Sequence, residues 1–318
     1  MKRRSQWHDY YRKGTYMVTL VVEGRQPLLG RLIGSSEENA HVELSPLGTT
    51  IENEEILKIS RFYPMVEVWR LCIMPDHIHM ILRVKQDMER GQHLGLVVRG
   101  FKTGCSRAWW RLTSGEAEET VTATVPSVFP EVRRPVLFER GYNDKILLHE
   151  GQLDNWKHYL DDNPRRLWIK RMNPGLFTVL QDREVAGHKC QTVGNRFLLD
   201  VPDKMAVIVH RRYSDEENAR LRTEWLECGE RGGVLVSAAI SQKEKEVMRE
   251  AMDRGYRIIL LRENGFPKLY KPAGESFNAC SDGRLLQISP WPYHMEKKTI
   301  TRAQCMELNE MAERISSN

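Results

Sequence analysis

No apolar run in this 318-residue chain approaches the ~20 residues that a membrane-spanning helix needs, so a helical membrane protein is not expected. Its six cysteines, Cys72, Cys105, Cys190, Cys228, Cys280 and Cys305, include no Cys-x-x-Cys pair, which argues against a zinc knuckle and against a disulfide framework; reduced, structural thiols are expected. Neither a Gly-x-Gly-x-x-Gly fingerprint nor a Walker loop occurs, and with them go the two strongest sequence signs of nucleotide binding. The basic start Met1-Lys2-Arg3-Arg4-Ser5 runs into Trp7-His8-Asp9-Tyr10-Tyr11 without the apolar core of a signal peptide, so the expected location is cytoplasmic. An acidic excess is lacking too. Lys and Arg outnumber Asp and Glu by 48 to 43, a balance that suits contact with a polyanion, and a hydrophobic content of 41% leaves no sign of global disorder.

The stretch that carries chemistry is Pro75-Asp76-His77-Ile78-His79, which follows the apolar run Val66 to Met74 and precedes Met80-Ile81-Leu82. It reads as a buried strand bearing two imidazoles. Strand side chains alternate with period two, so His77 and His79 share one face while Ile78 turns to the core. Such a pair serves either as satisfied polar residues or as a clamp for a divalent metal with open positions for a substrate oxygen. A partner lies about eighty residues on, in Asp154-Asn155-Trp156-Lys157-His158-Tyr159-Leu160-Asp161-Asp162-Asn163-Pro164. Leu153, Trp156 and Leu160 recur at helical spacing, and Pro164 predicts the helix end. Tyr159 and Asn163, four apart, then share one edge. The amide oxygen suits a hard metal site of the Mg or Mn type, and the phenol suits a nucleophile awaiting a phosphate.

Together these elements resemble the REP-associated branch of the single-tyrosine HUH transposases, over roughly residues 8 to 171. Tyr16 to Val22 resembles the family's first strand, Leu44-Ser45-Pro46-Leu47-Gly48 the start of its first helix, and Met74 to His79 its metal-binding strand. Leu96 to Trp110 resembles its second helix, Phe138 to Leu147 the strand before the catalytic helix, and Tyr159-Leu160-Asp161-Asp162-Asn163-Pro164 the Tyr-x-x-x-Asn-Pro signature. The resemblance implies that Tyr159 attacks a phosphodiester of single-stranded or hairpin DNA, leaving a 5′-phosphotyrosine link and a free 3′-hydroxyl, and that His77, His79 and Asn163 hold the metal. Where relatives often carry a histidine this chain has Asn143, beside Asp144, an open choice for a supporting group. The competing readings are a non-catalytic DNA-binding descendant of the same fold and a metal-dependent hydrolase of the amidohydrolase-barrel kind, although eight parallel strands are not visible.

The basic residues expected to meet DNA are Arg165 and Arg166 behind the tyrosine helix, Lys102 and Arg107 on the helix through Leu96 to Trp110, and Arg133 and Arg134. Residues 1–172 hold 26 Lys and Arg against 22 Asp and Glu, so the small positive excess lies mainly there. Element order in that part suits an α+β, ferredoxin-like sandwich with an antiparallel sheet, as the resemblance also implies. Thr113 to Pro135 lacks any period and reads as an exposed insertion. A boundary is expected near Met172-Asn173-Pro174-Gly175, and residues 173–318 are expected to form a smaller, parallel α/β domain of Rossmann-like shape. In it the loop Ser237-Ala238-Ala239-Ile240-Ser241, between a strand and a helix, is a weak candidate for phosphate binding, outranked by a structural or partner-binding role.

Overall fold

The computed structural model describes residues 8–114, 135–210, 212–296 and 298–317. Arg133, Arg134 and nearly all of the Thr113 to Pro135 segment lie outside the described residues, as does the basic cluster at residues 2–4. The chain divides into two compact units, Met1–Trp168 and Ile169–Asn318. Among the described residues no helix is long and apolar enough to cross a membrane.

The first unit is α+β. In chain order it comprises β1 (Gly14–Val21), β2 (Gly30–Ile33), β3 (His41–Leu44), α1 (Pro46–Thr50), α2 (Ile56–Phe62), β4 (Val66–Met74), β5 (His77–Val84), α3 (Leu94–Ser114), β6 (Asn143–Ile146), α4 (Gln152–Asp161) and the start of α5 (Asn163–Met172). A π-helical turn, Ile51–Glu55, joins α1 to α2. Ser45 caps α1 by accepting from the Gly48 N–H, with Pro46 in the first turn where a missing N–H costs nothing. Four strands form an antiparallel sheet in the order β4-β5-β1-β6, while β2 and β3 pair as a separate hairpin. This is not the eight-stranded parallel barrel of the hydrolase reading.

Alternation assigns the two sheet faces. Tyr16, Val18 and Leu20 of β1 and Ile78, Met80 and Leu82 of β5 pack into one core with residues of α1, α2 and α3. Met17 and Ile81 point the other way and pack with Trp156 and Leu160 of α4. The histidines at 77 and 79 are in phase with Ile81, on the face that α4 covers.

The structure departs from the sequence reading at three local points. Met74 to His79 is not one strand: Met74 ends β4, Pro75-Asp76 forms a two-residue turn, and His77 opens β5, with Met74 paired to His77. Proline has no N–H for the ladder and its fixed φ suits the first turn position, so the chain reverses there. The turn is held by its carbonyls, Asp76 O accepting from Val22 N at 2.9 Å and Pro75 O from Leu29 N at 3.0 Å. Phe138 to Leu147 is strand only over β6, because the carbonyls of Glu139 and Gly141 accept from the Lys102 ammonium, at 2.6 and 3.0 Å, and Gly141 has φ 82°. Pro164 marks the end of α4 as the sequence predicts, the cap being Asp162, but Asn163 does not close that helix: it opens a second one, α5, with Pro164 in its first turn.

The second unit continues with α6 (Pro174–Phe177), β7 (Leu180–Val185), β8 (His188–Gly194), β9 (Lys204–Ala206), α7 (Asp215–Glu230), β10 (Val234–Ser237), α8 (Gln242–Asp253), β11 (Arg257–Leu261), α9 (Glu275–Ser281), β12 (Leu285–Ser289) and α10 (Arg302–Ser316). Its sheet order is β7-β8-β12-β11-β10-β9. Strands β9 to β12 are parallel, but β8 is antiparallel to β12 and β7 to β8, so the sheet is mixed where the sequence predicted a parallel one. The parallel strands follow one another in sequence. Right-handed crossovers advancing in one direction put their helices on one face, and α7, α8 and α9 share one core while α10 packs in the other. Within β9 to β12 the order never reverses, so this part offers no crevice of the doubly wound kind. The Ser237 to Ser241 loop is not left open to a phosphate either. The buried Glu244 carboxylate accepts from the N–H groups of Val209, Ile240 and Ser241 at 2.8, 2.7 and 3.0 Å. An internal anion fills the cradle.

Candidate functional site

Cross-strand register sets the floor of the site. His79 pairs with Cys72 of β4 on one side and Thr19 of β1 on the other, and Thr19 pairs with Asn143 of β6. Opposed residues in a ladder share a face, so Cys72, His79, Thr19 and Asn143 form one row across four strands, with His77 one step along β5. Asp144 pairs with Val18 on the opposite face and accepts from the Tyr10 hydroxyl at 2.8 Å. It does not stand beside the histidines. Tyr142 belongs to the core of that opposite face.

Each imidazole is held through its Nδ1. Asp76 Oδ1 is 2.6 Å from His77 Nδ1 and Asp76 Oδ2 is 3.1 Å from Arg25 Nη1. Burial would raise the Asp76 carboxyl, but the hydrogen bond and charge of His77, with those of Arg25, outweigh it and bring the group down to about 2. The ionised carboxylate accepts, so Nδ1 of His77 donates and Nε2 is the nitrogen turned to a ligand. Thr19 Oγ1 lies 2.8 Å from His79 Nδ1 and holds that ring from behind, as either donor or acceptor. The two imidazoles meet edge to face with centroids 4.8 Å apart.

Helix α4 supplies the roof. Trp156 and Leu160 dock on Met17 and Ile81, and Arg70 of β4 binds Asp161 at the helix end, Nε to Oδ1 2.9 Å. This brings the half-buried Tyr159 ring to 5.8 Å from that of His79. Burial raises the Tyr159 phenol more than the Arg166 charge lowers it, so near neutral pH the phenol is protonated. Cys72, itself pushed up to about 12 by burial, is a thiol. Asn163, 8% exposed, stands beside both and opposes the rise of each, although its buried Nδ2 makes no hydrogen bond of ordinary geometry.

The expected DNA-binding residues scatter. Arg165 is held by two carboxylates, Nε to Asp162 Oδ1 at 2.6 Å and Nη1 to Glu37 Oε2 at 3.0 Å. Arg166 lies over the Tyr159 ring, 5.6 Å from guanidinium carbon to centroid. Lys102 is the backbone clamp described above, and burial lowers its ammonium. Arg107 is exposed, but on α3, across the sheet from the histidines. His158 and His149 are exposed. Sequence reasoning missed Thr19, Cys72, Arg25 and the role of Asp76. Only Asp76 carried a signal, its adjacency to His77; Thr19 lies sixty residues from His79 and meets it through register alone.

No protein-family model matches the chain. An uncharacterised protein of Haemophilus influenzae is 25% identical over 179 residues, covering 51% of this chain and 86% of that one. Similar solved structures include a REP-associated tyrosine transposase bound to a REP hairpin, with TM-score 0.29, 15% identity, and 54% of this chain and 75% of that chain covered. Another is DNA processing protein A of Helicobacter pylori, from a study of its single-stranded DNA binding, with TM-score 0.32, 19% identity and coverage of 44% and 65%. These scores are low, and the site stands on its own geometry.

Proposed function

We propose that the unit Met1–Trp168 cuts and rejoins single-stranded or hairpin DNA through Tyr159, with His77, His79 and Asn163 holding a divalent cation of the Mg or Mn type, in the manner of the single-tyrosine HUH transposases its sequence resembles. The observation that carries this reading is the meeting of His77, His79 and Tyr159 in one edge-to-face cluster, although the tyrosine is eighty residues away along the chain. Strand order supports it: numbered along the chain, the four strands lie 2-3-1-4 with helices after the first and third, the ferredoxin-like arrangement.

The residues suit a cation. Two imidazoles gripped from behind at Nδ1 are the usual setting of metal-binding histidines. The Asn163 amide nitrogen is buried without a hydrogen bond of ordinary geometry, and turning the amide about its last bond exchanges nitrogen for oxygen. Among the described residues no three His, Cys, Asp or Glu side chains group as a metal site, so oxygens of Asn163, solvent and substrate would complete the shell. A bound cation would neutralise charge on the phosphate's non-bridging oxygens and hold it for in-line attack.

In the reaction the Tyr159 oxygen bonds to phosphorus as the bond to the 3′ oxygen breaks, and the phenolic proton passes in net to that oxygen. The phosphotyrosine conserves the ester, so a 3′-hydroxyl reverses the step and rejoins DNA without a nucleotide cofactor. Trp156, Leu160 and the Arg70–Asp161 pair keep the nucleophile over the histidines. The test is incubation of the full chain with a 3′-labelled, sequence-randomised single-stranded pool and Mn, followed by a denaturing gel. Wild type is expected to form a denaturation-resistant adduct; Tyr159→Phe forms none while binding the pool within about threefold, since it loses one oxygen and little contact surface. Nicking by Tyr159→Phe at the wild-type rate would sink the mechanism.

A further inference from the structure

We propose that the exposed face of α3, built on Arg99, Gly100, Thr103 and Arg107, is a docking surface for the backbone of duplex DNA, separate from the face that carries Tyr159. The assignment rests on the reading of this unit as one that handles DNA, and it adds a second nucleic-acid surface to that reading.

Charge sets α3 apart within its unit. Its 21 residues include Arg99, Lys102, Arg107 and Arg111 but neither Asp nor Glu. Several cations elsewhere in the unit are matched by carboxylates: Arg31 by Glu43, Arg70 by Asp161, Lys85 by Glu67 and Lys157 by Asp154. Lys102 is engaged by backbone carbonyls. Arg99 and Arg107 are exposed, and among the described residues no carboxylate lies within ion-pair distance of either. A polyanion supplies the missing countercharge.

Spacing and shape point to a duplex backbone. Arg99 and Arg107 lie eight residues apart, about 12 Å along the helix. Phosphates of one duplex strand advance by about 3.4 Å per step, so the two guanidiniums can reach phosphates roughly three or four steps apart. Thr103 stands midway with its hydroxyl donating to Arg99 O at 2.9 Å, and a side chain added at Gly100 would meet nothing within 4 Å. No bulky side chain rises between the arginines, so a stiff, convex duplex can approach closely. Surfaces for single strands instead combine cations with rings on which bases stack. Trp110 lies beyond Arg107 and turns its indole N–H to Pro135 O at 3.0 Å. Guanidiniums on phosphates, with no group placed to read base edges, give binding that is independent of sequence.

Helix α3 packs on the sheet face of Tyr16, Val18 and Leu20, whereas Tyr159 packs on the other. One molecule can therefore hold a duplex and a single strand at once. Rejoining consumes a 3′-hydroxyl, and a duplex kept on the same molecule raises the local concentration of recipient DNA.

The experiment follows the anisotropy of a labelled, mixed-sequence duplex on the full chain across a salt series, with divalent metal chelated. It compares wild type, Arg99→Gln/Arg107→Gln, Arg99→Lys/Arg107→Lys, and Arg12→Gln/Arg31→Gln, which removes the same charge elsewhere. Each lost phosphate contact takes about 0.9 from the salt slope, so the α3 glutamine pair should lower it by about 1.8 and weaken duplex binding about tenfold at low salt. The single α3 glutamine variants, at about 0.9 each, decide the matter if the pair does not fold. The lysine pair and the Arg12/Arg31 pair should keep the wild-type slope. A saturating unlabelled single-stranded pool should leave the duplex bound to wild type. A wild-type slope in the α3 glutamine variants overturns the assignment, as does an equal fall in the Arg12/Arg31 pair or displacement of the duplex by the pool. If wild type forms no adduct with the single-stranded pool and Mn while these duplex results hold, the reading of Tyr159 fails and this surface stands; an adduct with unchanged duplex slopes removes this surface alone.

Discussion

His77 and His79 differ in what holds them. His77 leans on Asp76, itself bound to Arg25, while His79 rests on the neutral Thr19 hydroxyl. Carboxylates behind a metal-binding imidazole typically contribute 10- to 100-fold in affinity. Asp76→Ala is therefore expected to weaken Mn binding by about that factor, and Asp76→Asn by less, because its amide oxygen still accepts from Nδ1. Calorimetric titration with Mn measures both, with His77→Ala and His79→Ala as references for loss of a ligand and Asn163→Ala expected to be milder, since water replaces an amide oxygen. Wild-type affinity in both histidine variants would show the clamp to be wrongly assigned.

At the level of elements, the prolines and the buried charges decide where segments turn. Pro75 converts an apparent strand into a hairpin and Pro164 splits one helical segment into two, which places Tyr159 at the end of one helix and Asn163 at the start of the next. Lys102 shows how a charge that looks available for DNA can be engaged by the fold: its ammonium closes the chain before β6. Lys102→Met should lower stability by about 1–3 kcal/mol, as hydrogen bonds to a charged donor are lost, and leave single-stranded DNA affinity unchanged. Denaturant unfolding and anisotropy check the two halves. In the second unit, Glu244→Ala strips the acceptor from three backbone N–H groups around the start of α8. An expected cost of about 2–4 kcal/mol follows from the lost cap and the unsatisfied donors. Should stability stay within 0.5 kcal/mol or so of wild type, the carboxylate is not the plug described.

For the molecule as a whole, the groups of the proposed chemistry lie in one unit with its own two cores. The contact boundary at Trp168 falls inside α5, four residues before the turn chemistry at Met172-Asn173 that marks it in the sequence. A fragment of residues 1–172 keeps that helix whole. It is expected to fold, bind Mn and form the adduct at a rate near that of the full chain, with a similar salt dependence, because residues 173–318 carry little net charge, 22 Lys and Arg against 21 Asp and Glu. Adduct yield across a salt series tests this. A folded, Mn-binding fragment that forms no adduct would place a required group in the second unit.

Local rules read from the sequence reach a definite depth. Period-two alternation determined that His77 and His79 share a face, and Ser45-Pro46 marked a helix start, because each depends on residues a few positions apart; Tyr159 and Asn163 were read as one helical edge but stand on two successive helices. What only the tertiary structure decided depends on partners far along the chain. Ladder register set Thr19 and Cys72 beside His79, α4 chose the histidine face of the sheet, and Glu37, 128 residues from Arg165, separated the two arginines. The β7–β8 hairpin likewise escaped sequence reading, since β7 is largely exposed and shows no apolar alternation. A side chain's spacing is a property of its own segment, but the charge or hydrogen bond it has left to offer is set by whatever the fold brings against it.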